Sequence, residues 1–384
     1  MQRLLLQRQS IAALRLHHTL LLRRNASSTS NVMSAAKIAL NQVPLVDIAP
    51  LVHQQRTHGG NSSAPAAEQA VKSLILAQMK HACLETGFFT VPTKNVLSND
   101  LIAKVYTRAD EFIALPDAVK QQYHNKKSPN SRGWTPMFEE PSYQPDVVSH
   151  LEGFDLAREL PASFIEDGSS LGPNVWPSEM PHFRRDVYQL YDETTILSHV
   201  LFQSFAEMLG LPAHTFSVSS YQQHVTEKAE AFMRLLTYPE AKAEVKNSTV
   251  GIASHTDFEC FTIIHQNGAG LHLKNRSGNW VEAPVHEDRL FIMVGDVLEQ
   301  WTNGLLQATE HRVVNSDKKR QSIVRFNGAD GDTVVEPLSL FVSPENPPKF
   351  QKKTQREHIA EQIRLAEERL HETNAAKQQK KTTA

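Results

Sequence analysis

Cysteine is nearly absent: Cys83 and Cys260 are the only two in 384 residues. Two thiols so far apart make no disulfide framework, which excludes the small stapled scaffolds of secreted proteins and points to a reducing compartment. No apolar run approaches the roughly 18–20 residues needed to span a bilayer, so no membrane span is expected. Neither sign of charge is in excess, with 40 Lys and Arg against 42 Asp and Glu. A nucleic-acid partner is therefore not expected, because such proteins carry a strongly basic surface. What the chain does have is an apolar content of 40%, enough for a sizeable core in one large domain or two small ones.

Acidic residues are missing altogether before Asp47, while Arg3, Arg8, Arg15, Arg23 and Arg24 punctuate a Leu-rich segment that runs into Asn25-Ala-Ser-Ser-Thr-Ser30. Arg-rich, Ser-rich and acid-free is the composition of a mitochondrial transit peptide, and the Arg interruptions argue against a secretory signal. Residues 1–40 are expected to be such a leader, or a disordered basic extension ahead of Met33, and to lie outside the fold. Mitochondrial import is the expectation, with a cytoplasmic location as the alternative.

Residues 41–230 read mainly as helices. A short strand is expected at Val43-Pro-Leu-Val-Asp-Ile48 and a loop over residues 58–67. Val71, Ile75, Met79 and Ala82 recur at helical spacing up to Gly87, before a strand at Phe88-Phe-Thr-Val91. Further helices are expected over 98–113 and, from Phe183 to Leu209, along a stripe of Val187, Leu190, Leu197, Leu201 and Phe205. Residues 125–180 show little periodicity. From 231 to 345 the pattern changes to short apolar runs at 231–238, 249–254, 260–265, 270–273, 279–281, 290–294, 309–314 and 321–326, separated by turns such as Asn267-Gly268 and Ser277-Gly278. Helices first and closely spaced strands later predict a mainly β antiparallel double sheet with flanking helices, since a parallel fold needs long crossovers. Residues 346–384 are charged, with Ile359, Ile363, Ala366 and Leu370 forming a narrow stripe for one docked helix.

Within the strand-rich part, His255 and Asp257 lie two residues apart and so face one side of an extended chain. His311 offers a third donor. Among 18 histidines a chance partner is easy to find, but this one sits on another apolar run of the same region. Two imidazoles and one carboxylate leave open positions on an octahedral ion, which suits non-haem Fe(II) better than tetrahedral zinc. Arg320 and Ser322 again share one strand face, and a guanidinium fork with a neighbouring hydroxyl grips a carboxylate. Tyr238 stands ready to add a donor. Arg234, Leu236 and Tyr238 alternate on one face, so Arg234 is expected to point inward and, if unpaired, to bind an acidic or carbonyl group of a substrate. Arg325 has the opposite parity and is expected to face solvent or the outer helices.

Over residues 42–345 the chain resembles the 2-oxoglutarate and Fe(II)-dependent dioxygenases, in the branch that includes isopenicillin N synthase. The matching segments include Glu85-Thr-Gly-Phe-Phe89, Arg132-Gly133, Glu152-Gly-Phe-Asp155, Tyr238-Pro239, His255-Thr-Asp257, Thr262-Ile-Ile-His265, Gly295-Asp296, Thr302-Asn-Gly304, His311-Arg-Val-Val-Asn315 and Arg320-Gln-Ser322. The resemblance implies a jelly roll (double-stranded β-helix) holding Fe(II) on His255, Asp257 and His311. It implies 2-oxoglutarate held by Arg320, Ser322 and Tyr238, with O2 as oxidant and ascorbate as an optional reductant. The reaction implied is hydroxylation or desaturation of a small molecule with release of succinate and CO2, by a monomer or weak homo-oligomer. The alternative is an isopenicillin N synthase-like oxidase whose Arg320 binds the substrate's own carboxylate. Two positions depart from the family: Leu236 stands where plant members carry Asn, and Val324-Arg325-Phe326 replaces a Pro and two aromatics.

Overall fold

Period-two alternation along β5 (Phe232–Tyr238) divides the core. Met233 and Leu235 face one way and pack with the helices, whereas Leu236 and Tyr238 face the other way and pack between two sheets. A computed structural model of the chain describes residues 35–58, 66–141, 143–144, 147–165, 170–216, 228–242, 245 and 249–382. Residues 1–34 of the leader expected over 1–40, and most of the expected loop at 58–67, lie outside the described residues.

The architecture is mixed α/β, with two sheets and flanking helices. Before the sheet-rich half come β1 (Ala36–Lys37), α1 (Ala49–His58), α2 (Ala66–Glu85), β2 (Phe88–Pro92), α3 (Asn99–Ile113), β3 (Gly133–Thr135), β4 (Glu152–Ala157) and α4 (Pro181–Met208). After β5 follow β6 (Ile252–His255), β7 (Phe261–Gln266), β8 (Leu271–Lys274), β9 (Trp280–Glu282), β10 (Arg289–Val294), α5 (Asp296–Trp301), β11 (His311–Val313) and β12 (Arg320–Asn327). A small ribbon of β13 (Val334–Val335) and β14 (Lys353–Thr354) leads into α6 (Gln355–Thr382). The larger sheet has the order β2-β10-β7-β12-β5-β4-β3, and the smaller one β1-β9-β8-β11-β6. Neighbours are antiparallel except β1 with β9.

Each strand expected after residue 231 is present within a few residues of its expected place. Differences lie upstream. Ala36–Lys37 pairs with Val281–Glu282, so pairing starts ahead of residue 41. At Val43–Ile48 only Leu45 bridges to Thr90, because Pro44 has no N–H to extend the ladder. The weakly periodic stretch 125–180 supplies β3 and β4, which extend the larger sheet beyond β5.

Helix α4 starts with Pro at its first turn, buries Phe183, Val187, Leu190, Leu197, Leu201 and Phe205, and ends before Gly210, whose φ of 80° suits a left-handed stop. Phe202 and Phe205 meet Phe261 of β7 with ring centroids 4.7 and 5.1 Å apart. Each fully buried Leu or Phe contributes about 1.5–3 kcal/mol, so this stripe outweighs any local helix propensity. Arg325 does face the helices: it is buried, lies 4.2 Å over the Tyr191 ring and donates to Tyr191 O and Thr194 Oγ1.

The C-terminal helix docks by a face that overlaps the expected stripe at Ala366, with Ile359 and Leu370 half-buried, but is rotated away from Ile363. Gln355, His358, Ala366 and Thr373 are buried, while Ile363 is exposed. Polar anchors set its rotation: His358 Nε2 lies 2.9 Å from Asp296 Oδ2, and Gln355 Nε2 donates to Phe258 O at 3.0 Å. Among the described residues no helix is long and apolar enough to cross a membrane.

Candidate metal centre

β6 and β11 are antiparallel neighbours with His255 and His311 directly opposed. Asp257 follows His255 by two residues and turns to the same side. His255 Nδ1 lies 2.8 Å from Ala253 O, and His311 Nδ1 lies 2.9 Å from Thr309 O. A carbonyl only accepts, so both rings carry a proton on Nδ1 and leave Nε2 to offer its lone pair. Those Nε2 atoms stand 3.7 and 3.6 Å from Asp257 Oδ1, and the three ligand atoms lie within 4.8 Å of one another. No other such grouping of three is found among the described residues. The second Asp257 oxygen accepts the Thr262 hydroxyl. Burial, helped by His311, holds His255 well below the ordinary imidazole value, so it is neutral and ready to coordinate. Burial raises Asp257, with His311 and Thr262 opposing. Two imidazoles and a carboxylate converging on one point fit a divalent iron.

The turn that carries Asp257 is clamped by the start of α5. Gly295 N, Asp296 N and Val297 N donate to Cys260 O, Asp257 O and Glu259 O at 2.9, 2.9 and 3.1 Å. A Cβ on Gly295 would meet Glu259 O at 2.4 Å, so only glycine permits this approach. Gly295→Ala is expected to destabilise the fold by about 1–3 kcal/mol as overpacking does and to weaken iron binding. Urea midpoints and Fe(II) titration check it; unchanged values in both would refute the clamp.

Between the sheets, β5 and β12 form a ladder of inward pairs: Tyr238 with Arg320, Leu236 with Ser322, Arg234 with Val324, and Phe232 with Phe326. These side chains and the metal triad line one cavity of about 660 Å³, its open mouth included. At one end Arg320 is buried, lies 4.4 Å over the Tyr238 ring, and donates to Gln266 Oε1 at 3.2 Å and Gly268 O at 3.3 Å. Its Nη1 has no partner. Burial pulls its pKa down, and among the described residues no carboxylate answers its charge. Ser322 hydrogen-bonds to Tyr238 in the same corner. An unanswered guanidinium beside two hydroxyls is a cradle for a ligand carboxylate.

Arg234 points inward as its parity requires, but it is not unpaired. Nη1 and Nη2 donate to Glu140 Oε1 and Oε2, both at 2.7 Å, and Nε donates to Asp155 Oδ1 at 2.7 Å. Burial works against its charge, yet Asp155 and Glu140 hold its pKa well above the ordinary value. The expected role for Arg234, capturing an acidic substrate, is therefore corrected: protein carboxylates already take its fork. Sequence reasoning does not single out Glu140, Tyr143, Phe258 or Gln266. Tyr143 stacks on the His255 ring with centroids 4.4 Å apart, and its carbonyl accepts from Arg369 of α6 at 3.3 Å. Glu140 and Tyr143 sit in the aperiodic stretch, where no alternation reveals direction; for Asp155 the only signal is its place in the Glu152–Asp155 segment.

Two family models match the chain: "non-haem dioxygenase in morphine synthesis N-terminal" over residues 43–179 and "2OG-Fe(II) oxygenase superfamily" over residues 229–329. Clavatol oxidase claD of Penicillium crustosum is 31% identical over 325 residues, covering 79% of this chain and 90% of the relative. Among solved structures, a 2OG-Fe(II) oxygenase family protein from Caulobacter crescentus is 26% identical, with a TM-score of 0.64, covering 76% of this chain and 94% of that one. A full-length Neurospora crassa protein solved in complex with alpha-KG and thymine is 20% identical and shares the fold with a TM-score of 0.68, over 88% of this chain and 99% of that one. With two imidazoles and a carboxylate converging between its sheets, the chain belongs to the 2-oxoglutarate and Fe(II)-dependent dioxygenase superfamily and is an iron- and 2-oxoglutarate-dependent oxidoreductase acting on a small substrate.

Proposed function

We propose that His255, Asp257 and His311 hold the iron, that Arg320, Ser322 and Tyr238 hold the distal carboxylate of 2-oxoglutarate, and that O2 is the oxidant. The observation that carries the co-substrate assignment is the partnerless Arg320 Nη1, buried at the end of the ladder that leads to the triad. Leaving a buried charge without a counterion costs several kcal/mol, so the corner is organised for an anion that arrives from outside. With both bound, iron and 2-oxoglutarate supply the oxidising chemistry: 2-oxoglutarate, O2 and R–H give succinate, CO2 and R–OH.

The protein's part is positioning and exclusion. The Ala253 and Thr309 carbonyls fix the two imidazole orientations, and Thr262 fixes the carboxylate. The Tyr143 ring covers one face of His255 and keeps water from it. The finer reading is a double-stranded β-helix of the isopenicillin N synthase-like branch, supported by the two facing sheets and by the ordered segments from Glu85 to Ser322. Ascorbate would keep the iron reduced between turnovers.

The direct test is succinate production from 2-oxoglutarate by iron-loaded protein, together with the weak visible absorption of the anaerobic Fe(II) and 2-oxoglutarate complex. Failure of both with folded protein would overturn the reading. Arg320→Lys keeps the charge but loses the fork. Losing a charge-assisted hydrogen bond of about 1.5–3 kcal/mol should raise the 2-oxoglutarate KM roughly 10- to 100-fold. An unchanged KM would remove Arg320 from the clamp.

We further propose that residues 1–40 direct import into mitochondria, on the strength of their Arg-rich, acid-free composition. A reporter preceded by residues 1–40 should reach mitochondria, and one preceded only by the segment from Met33 should stay in the cytosol. Cytosolic signal from both refutes it.

A further inference from the structure

The ladder between the sheets has two unlike ends. Arg320, Ser322 and Tyr238 form the polar end, while Phe232 and Phe326 stack at the other with centroids 4.7 Å apart. Inward rungs on one strand repeat at about 6.6–6.8 Å. A co-substrate anchored at the Arg320 rung and reaching toward the triad therefore leaves the Arg234 and Phe232 rungs for the substrate. Tyr143 and Phe258, edge to face at 6.0 Å, wall the same cavity from the loops. All four aromatic side chains are only partly buried, so the mouth presents flat apolar surfaces that a ring would cover.

The polar groups decide which ring. Among the described residues lining the cavity, the cations are Arg234 and Arg320. Arg320 belongs to the co-substrate, and the fork of Arg234 is closed by Glu140 while its Nε is taken by Asp155. The acids lining the cavity are Glu140, Glu259 and the metal ligand Asp257. A substrate carboxylate would thus meet acceptors and no open donor fork. A hydroxyl or N–H, in contrast, would meet Glu140, whose Oε1 accepts from Arg234 and, at 3.5 Å, from the Tyr143 hydroxyl, while Oε2 accepts from Arg234 and keeps a second lone pair.

We propose that the substrate is an uncharged ring compound that presents an O–H or N–H donor to Glu140, with its oxidised carbon directed toward the triad. Glu140 is then a specificity-determining residue in two ways. It accepts from the substrate, and by closing the Arg234 fork it rejects acids. This inference rests on the iron and 2-oxoglutarate reading above, because that reading assigns Arg320 to the co-substrate.

The test uses three probes that share one ring and one methyl group: 4-methylphenol, 4-methylanisole and 4-methylbenzoate. Affinities are measured anaerobically on the full chain loaded with Fe(II) and 2-oxoglutarate, by perturbation of the visible absorption and by calorimetry. The phenol should bind at least about tenfold tighter than the benzoate, a difference near 1.4 kcal/mol, with the donor-free anisole weaker than the phenol. Glu140→Ala opens the Arg234 fork, so the benzoate should gain about tenfold or more while the phenol loses its advantage over the anisole. Benzoate binding as tightly as phenol in the natural protein overturns the proposal, as does failure of all three probes to bind. A phenol preference that survives in Glu140→Ala also overturns it. Absence of the visible band before any probe is added would instead defeat the iron and 2-oxoglutarate reading. If Glu140→Ala does not fold, the order of the three probes on the natural protein still decides.

Discussion

Asp257→Ala and His311→Ala should each abolish turnover and strip the iron. Among the described residues only three donor atoms converge, His255 Nε2, His311 Nε2 and one Asp257 oxygen. Removing one leaves two, which hold a divalent ion poorly against water. Loss of a partner one step further out typically costs about 10–100-fold in metal affinity or activity. Thr262→Val, which deletes the hydroxyl donated to Asp257, should fall in that range, and the ligand variants should fall well beyond it. Iron stoichiometry after gel filtration and Fe(II) titration provide the readout, with succinate formation in parallel. A His311→Ala protein that kept both iron and rate would show that the third ligand lies elsewhere.

Those ligands are legible in the sequence because strands constrain direction. Residues two apart on a strand share a face, which orients Arg320 with Ser322 and Arg234 with Leu236 and Tyr238, whereas Asp257 lies just past the end of β6 and is turned toward His255 by the clamp at the start of α5. The same rule sends Arg325 to the helix side, where it lies buried against α4. Legibility fails where no period operates. Glu140 and Tyr143 lie between β3 and β4 in an aperiodic stretch, and their partners Arg234 and Arg369 are 94 and 226 residues away in sequence. Nothing local in such a stretch encodes so distant a contact. The C-terminal helix departs from expectation for a related reason. Its apolar residues suggest one face, but hydrogen bonds that tie His358 and Gln355 to Asp296 and Phe258 rotate the buried face part of the way round from it. An amphipathic stripe sets a helix's rotation alone only when no polar anchors compete, and here Ala366 of the stripe is buried while Ile363 is left exposed.

Arg234→Met should be the most destabilising single change in the substrate half of the cavity. The guanidinium is the shared partner of Glu140 and Asp155, and both carboxylates are buried. Breaking a buried ion pair from one side costs about 3–5 kcal/mol, because the remaining charge keeps its desolvation penalty without its counterion. Here two acids are left behind. The pH dependence identifies the cause. Burial already raises the Asp155 pKa, and Arg234 is the main influence opposing that rise. Without it, the folded-state value climbs further above the unfolded value of about 4. A carboxyl whose pKa is raised by folding contributes most at low pH, and that contribution is lost as pH rises through the folded value. The gap in melting temperature between variant and natural protein should therefore be widest near neutral pH and shrink as pH falls through the raised Asp155 value. A gap independent of pH would mean that Arg234 stabilises through the packing of its stem rather than through its two carboxylates.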